Sequence, residues 1–197
     1  MKRFFALVLV LSLLTLSFSA CGKRNNNPSE DKALGDKVNV VIDIKDYGEI
    51  KLTLEPEHAP ITVANFVELV NEGFYDGLTF HRIINGFMMQ GGDFQGTGKS
   101  AKSIKGEFVS NGVDNPLEHT RGAISMARTS QPDSASSQFF IVHKDSPHLN
   151  GDYAAFGYVT EGLEIVDKIC SETPVVDGNG TVERADQPII KSIKLID

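Results

Sequence analysis

Apolar positions fall with period two from Val38 onward: Val38, Val40, Ile42 and Ile44 share one strand face, and Ile50, Leu52 and Leu54 repeat the pattern after a turn at Tyr47-Gly48. Side chains along a strand point alternately to opposite faces, so the two runs predict a hairpin with one face on a core. The period then changes. Pro60 suits a first helical position, Val63, Phe66, Val67 and Val70 follow at helical spacing, and Gly73 suits the stop just past the end. Short apolar runs at 79–84, 87–91, 123–127, 138–142, 155–159 and 189–196 predict six more strands, and 164–170 a second helix. Eight short strands, many turn residues and two helices predict a mostly β fold, a closed eight-stranded antiparallel barrel with a helix covering each end. No internal repeat or second domain interrupts 38–197.

The first 37 residues are organised differently. Lys2 and Arg3 precede an apolar run from Phe4 to Leu16, and small residues follow at Ser17, Ser19 and Ala20. A basic start, an apolar centre and a small-residue exit predict an export signal over 1–20, and the run is short for a membrane span of about 20 residues. Cys21 lies just past the small residues, as in a bacterial lipoprotein signal, whose cysteine accepts a lipid and becomes the new N-terminus. Phe18 stands where that pattern usually has Leu, and Ser17-Phe18-Ser19 also reads as an ordinary cleavage site. Two localisations follow: a domain tethered outside the cytoplasm to the bacterial cell membrane through lipidated Cys21, or a secreted soluble one. Residues 22–37 are polar and Asn-rich, cannot build a core, and predict a flexible tether.

The formal net charge is −7, and loss of Lys2 and Arg3 with a signal would make the body more acidic still. Phosphate binding rests on clustered Lys and Arg, so nucleic acid is excluded as the main partner, as is docking on anionic lipid through a basic face. The two cysteines, Cys21 and Cys170, form no CxxC pair, and the five histidines are scattered, so no metal site is expected; Cys170 reads as a core thiol on the second helix. GGDFQGTGKS ends like a phosphate loop, but Asp93 occupies the position of its first glycine and no helix pattern follows. Ser134, Ser136 and Ser137 lack the G-x-S-x-G context of a hydrolase nucleophile.

Three segments mix large apolar side chains with a few long polar ones: Phe80-His81-Arg82-Ile83-Ile84-Asn85-Gly86-Phe87-Met88-Met89-Gln90-Gly91-Gly92-Asp93; Ser125-Met126-Ala127-Arg128 with Ser137-Gln138-Phe139-Phe140-Ile141; and Leu149-Asn150-Gly151 with Phe156-Gly157. Strict alternation puts Phe80, Arg82 and Ile84 on one face and His81 and Ile83 on the other, and Gly91-Gly92 permits a bulge or a close backbone approach. Taken alone, Arg82 reads equally as a surface ion pair, and Phe87, Met88 and Phe140 as core.

These motifs, FHRII-x-GFM-x-QGGD and SQFFI above all, resemble the cyclophilin family of peptidyl-prolyl cis/trans isomerases, and the resemblance runs from about residue 38 to 196. It implies the eight-stranded barrel with two capping helices, and a cofactor-independent isomerase that acts on proline-containing polypeptides; a monomer is expected. By position it implies that Arg82 is the catalytic arginine, that Gln90 bonds the peptide backbone, and that Phe87, Met88, Phe140 and Leu149 line the proline pocket. Ala127, Arg128 and Gln138 would border the groove for the residue before proline, with His148 and Tyr153 at the pocket rim. Several positions depart from the family's common pattern: Asn85 replaces a proline, His148 stands where many eukaryotic members have Trp, Tyr153 where they have His, and Arg128 where Asn is frequent. A pure proline-binding module would use the same pocket; the cation at Arg82 favours turnover.

Overall fold

The hairpin expected at the start of the domain forms as β1 (Val38–Ile44) and β2 (Gly48–Leu54), paired antiparallel from Val38↔Leu54 to Ile44↔Gly48, with Val40, Ile42, Ile44, Ile50, Leu52 and Leu54 buried. The computed structural model describes residues 37–93, 97, 99 and 101–197; the expected export signal, Cys21 and the tether up to residue 36 lie outside them. Six further strands follow: β3 (Phe80–Ile84), β4 (Met88–Gly91), β5 (Ala123–Met126), β6 (Phe139–Val142), β7 (Ala155–Glu161) and β8 (Ile190–Ile196). They form one antiparallel sheet in the order β3-β4-β6-β5-β7-β2-β1-β8.

The closed barrel expected from the strand count is not formed. The sheet curls into a half-barrel whose edges, β3 and β8, meet at an isolated bridge, Thr79↔Ile189, and at the neighbouring bonds Phe80 N–H to Pro188 O (2.9 Å) and Ile190 N–H to Leu78 O (2.8 Å). Past that point another segment occupies the edge of β3: Val182 N–H donates to His81 O (3.0 Å) and Ile83 N–H to Gly180 O (2.8 Å). The loop before β8 satisfies the backbone groups that a β3–β8 ladder would use.

Alternation along the central strands separates two apolar layers. Met89, Ile124, Met126, Phe139 and Ile141 belong to the main core with the hairpin and both helices, whereas Met88, Ala123, Phe140 and Val142 form a second cluster on the opposite face with Leu149. Every residue of β5 and β6 is therefore buried. Sheets covered on both faces give such continuous apolar runs. In β3 the strict alternation fails. The register shifts between Phe80↔Gly91 and Arg82↔Gln90, so His81 is an extra residue. Phe80 and Ile83 consequently face the main core, while Ile84 joins the second cluster on the side of Arg82. Phe80 thus does not share a face with Arg82, as expected, because a one-residue bulge reverses the phase of the strand. The partner strand permits the close approach: a Cβ at Gly91 would lie 2.8 Å from Thr79 O and from the Phe80 ring.

Helix α1 (Pro60–Asn71) buries Thr62, Val63, Phe66, Leu69 and Val70. It ends as the glycine signal requires: Gly73 takes φ +62°, its N–H bonds Val70 O (3.0 Å), and Phe74 N–H bonds Leu69 O (2.9 Å). Its start holds a feature invisible to local pattern. The N-cap residue, Ala59, has no side chain able to cap. The buried Glu107 carboxylate takes that role from 45 residues downstream, accepting from Thr62 N–H (2.7 Å) and Ile61 N–H (3.0 Å). A carboxylate there satisfies orphan donors and lies at the positive end of the helix dipole. Urea unfolding should show Glu107→Ala destabilised by about 2–3 kcal/mol, the range of a charge-assisted bond plus dipole loss, with Glu107→Gln between it and wild type. Equal stability of all three proteins would sink this account.

Helix α2 (Leu163–Glu172) buries Val166, Ile169 and Cys170. Burial pushes the Cys170 thiol up to about 12, so at neutral pH it is protonated and inert.

Candidate active site

The second apolar cluster lies on the outer face of β3, β4, β5 and β6, beneath the short helical turn Pro147–Leu149. Between them opens a cavity of about 220 Å³ lined by Arg82, Phe87, Met88, Gln90, Ala127, Arg128, Phe140, Leu149 and Tyr153. That is below the range of about 300–1,000 Å³ for drug-sized ligands and suits one small ring with its flanking backbone. Met88, Phe140 and Leu149 are almost wholly buried, so the base is apolar, and Phe87 closes one side from the β3–β4 turn.

Arg82 lies on the polar side of this cavity and is held at three points. Its Nε–H donates to Asn179 O (2.8 Å), its Nη1 to Gln90 Oε1 (3.3 Å), and Nη1 also meets Met88 Sδ (3.9 Å). The Gln90 side-chain amide in turn donates to Gln138 Oε1 (2.9 Å). Among the described residues the Nη2 hydrogens of Arg82 meet no acceptor, and one Gln90 N–H is likewise spare. The site therefore offers free donors beside an apolar slot, with the guanidinium plane already fixed. Arg82 is charged without needing a proton relay, because guanidinium keeps its proton at any working pH.

A more polar cavity of about 230 Å³ adjoins the first, shares Gln90, Ala127 and Arg128 with it, and adds Gln138, Thr129, Ser134 and Ser136. Ala127 and Arg128 line both cavities, and Gln138 lines the second, where it meets Gln90. Arg128 is not a loose cation. Its guanidinium sits 4.9 Å from the centre of the Phe108 ring and 4.6 Å from that of Tyr153, and donates through Nε and Nη2 to Asp152 O (2.9 and 2.8 Å). Placement over aromatic rings and forked donation are contacts Arg favours. Here they fix the Tyr153 wall. His148 does not line the cavity; it is exposed and stacks at a tilt on Phe87, with ring centroids 5.4 Å apart.

Two supports were not legible. His119 is 1% exposed behind the pocket and stacks on Phe140 at 5.9 Å. Its ring bonds Asn150 Oδ1 (3.0 Å) and Ser125 Oγ (2.9 Å), and burial lowers its pKa, keeping it neutral. Nothing in the loop sequence Glu118-His119-Thr120 signals this. The second is Asn179, whose Asn-Gly dipeptide marks a turn but not the arginine its carbonyl meets.

The family model for "cyclophilin type peptidyl-prolyl cis-trans isomerase/CLD" matches residues 39–195. The chain belongs to that family. This cyclophilin is 52% identical over 121 residues to peptidyl-prolyl cis-trans isomerase B of Bacillus subtilis (strain 168), a match covering 61% of the chain and 82% of that protein. It is 41% identical over 164 residues to a probable peptidyl-prolyl cis-trans isomerase of Brucella suis biovar 1 (strain 1330), covering 79% of the chain and 82% of that protein. Among solved structures, a Cryptosporidium parvum cyclophilin type peptidyl-prolyl cis-trans isomerase in the presence of the dipeptide Ala-Pro aligns with a TM-score of 0.69 at 33% identity, covering 81% of this chain and 99% of that one. The cyclophilin described here is an enzyme that interconverts the cis and trans forms of X–Pro peptide bonds.

Proposed function

We propose that this cyclophilin isomerises X–Pro bonds of polypeptides outside the cytoplasm and so assists their folding, as a monomer held to the cell membrane by a lipid on Cys21. The observation that carries the site reading is the fixed guanidinium of Arg82 beside an apolar slot, with its Nη2 donors free among the described residues. The Cryptosporidium parvum cyclophilin studied with Ala-Pro supports proline-containing peptide as the ligand class. Lys2, Arg3, the apolar run and Cys21 support export and anchoring.

The chemistry follows from the amide. Resonance gives the C–N bond partial double-bond character and a barrier of about 18–20 kcal/mol, so uncatalysed exchange takes roughly tens to hundreds of seconds. In the twisted transition state conjugation is lost and the nitrogen regains its lone pair. An Arg82 Nη2–H aimed at that nitrogen stabilises the twisted form more than the planar one, which is what lowers the barrier. Phe87, Met88, Phe140 and Leu149 hold the ring, and the spare Gln90 donor grips the peptide carbonyl. Ala127, Arg128 and Gln138 border the site of the preceding residue, while Tyr153 and His148 shape the rim. Turnover of about 1–10³ s⁻¹ needs roughly 3–7 kcal/mol off the barrier, and one charge-assisted bond gives about 1.5–3. The remainder comes from the slot, which immobilises the ring and desolvates a planar amide more polar than the twisted one.

Mass spectrometry of the mature protein from expressing bacterial cells tests the location. The expected N-terminus is Cys21 carrying lipid. A chain starting at an unmodified Cys21, or at Ala20, would remove the anchor from the proposal and leave the secreted soluble form.

A further inference from the structure

The loop between α2 and β8 lines no part of the proline cavity, yet it touches the residue on which the chemistry is proposed to turn. The chain doubles back over 176–181, with Val176 N–H bonded to Thr181 O (2.9 Å) and Gly180 N–H to Asp177 O (3.2 Å). Inside this turn one carboxylate gathers three donors. Asp177 Oδ1 accepts from Asn179 N–H (2.9 Å) and Thr181 N–H (3.0 Å), and Oδ2 accepts from the Thr181 hydroxyl (2.9 Å). Such side-chain-to-backbone bonds are how an Asp sets the shape of a short turn. These donors, the Thr181 N–H first, hold the carboxyl below its ordinary range.

The turn is also fastened to the catalytic strand. Ile83 N–H donates to Gly180 O (2.8 Å), and Thr181 pairs with Arg82 in an isolated bridge. Gly180 takes φ +80°, and a Cβ there would lie 2.3 Å from Ile83 O, so glycine alone permits this approach. The result of the geometry is one bond: the Asn179 carbonyl accepts Arg82 Nε–H at 2.8 Å. With the Gln90 bond from Nη1, it pins the guanidinium at two separate atoms, which fixes both its plane and the direction of Nη2.

We infer that Asp177 is a positioning residue of this isomerase: its carboxylate shapes the turn that presents the Asn179 carbonyl to Arg82 Nε, and so aims the free donors of Arg82 into the cavity. The inference rests on the assignment of Arg82 as the transition-state donor. Asp177 itself meets no substrate.

The test is steady-state turnover of an Ala-Pro-containing peptide by the full chain, joined to NMR of the Arg82 Nε–H proton. Asp177→Ala should lower kcat about tenfold with KM little changed, the signature of an interaction realised in the transition state and of a donor left misaimed. The Arg82 Nε–H signal should be slow to exchange in wild type and lost in this variant. Asp177→Asn keeps Oδ1 for the two backbone donors and should restore most of both readouts. In an Arg82→Lys background, which has no Nε donor, Asp177→Ala should add nothing, because the two residues act through one bond. Should Asp177→Ala not fold, Thr181→Val, which deletes one of the three donors, reads the same drop at smaller size. If Arg82→Ala lowers turnover while Asp177→Ala keeps wild-type kcat, the positioning role is overturned. The same holds if Asp177→Ala costs equally in both backgrounds. A wild-type rate in Arg82→Ala overturns the assignment beneath it instead.

Discussion

Replacing Arg82 by Ala should lower kcat/KM for an X–Pro peptide by about ten- to a hundredfold, since one charge-assisted bond of about 1.5–3 kcal/mol is lost and each 1.36 kcal/mol is tenfold. The fold should survive. Arg82 is only partly buried, and the main core packs on the other face of β3 through Phe80 and Ile83. Arg82→Lys is the sharper variant. It keeps the charge but loses the Nε donor and the fork, so a compact ammonium must replace a plane fixed by Asn179 and Gln90. It should recover little of the loss. Chymotrypsin-coupled or exchange-NMR rates, with circular dichroism to confirm folding, decide the matter. Two folded variants with wild-type rates would remove Arg82 from the mechanism.

Phe139 and Phe140 are adjacent, yet their removal should be felt in different measurements. Phe139 is wholly buried and meets the Phe66, Tyr75 and Phe80 rings nearly edge-on, at centroid distances of 5.6, 5.5 and 5.9 Å. Such edge-to-face contacts add to area burial, and a buried Phe→Ala change costs about 3–5 kcal/mol. That is a large share of a domain stability of about 5–15 kcal/mol. Phe140 points to the other face and lines the open cavity, where water can refill the space left by truncation. Phe139→Ala should therefore shift the urea midpoint strongly and keep turnover in the fraction that remains folded. Phe140→Ala should lose less stability and most of its turnover, because the ring slot loses a wall. Equal midpoint shifts for the two variants would contradict the two-layer description.

The two-layer arrangement also explains what sequence could and could not show. Hairpin β1–β2 and helix α1 have one buried face each, so their periodicity was clean and their bounds followed. In β5 and β6 both faces are apolar, and the pattern identified strands without separating core from site. Phe87, Met88, Phe140 and Leu149 could be sorted from core only by resemblance to known motifs. The phase of β3 was misread because His81 is a bulge, and a bulge inserts one residue without leaving a mark in composition. Closure was misread because the 180–182 segment, which has no strand pattern, takes the edge that β8 would need. Asp177, His119 and Glu107 act on groups 2 to 46 residues away in the chain. Such contacts depend on where the fold brings loops together, and a one-dimensional pattern does not carry them.

The place of β1 between β2 and β8 has a consequence for how the polypeptide becomes a domain. Asn39 lies opposite Ile196, so the second edge of the first strand is completed by residues made more than 150 positions later. During synthesis, at roughly 5–20 residues per second, β1 and β2 can pair early while the other side of β1 stays open for many seconds. Folding is then gated by arrival of the last strand, and the nascent protein is most exposed to strand-to-strand capture during that interval. The charged side chain of Asp43, which pairs with Lys191 across the β1–β8 seam once it closes, keeps that edge soluble while it waits.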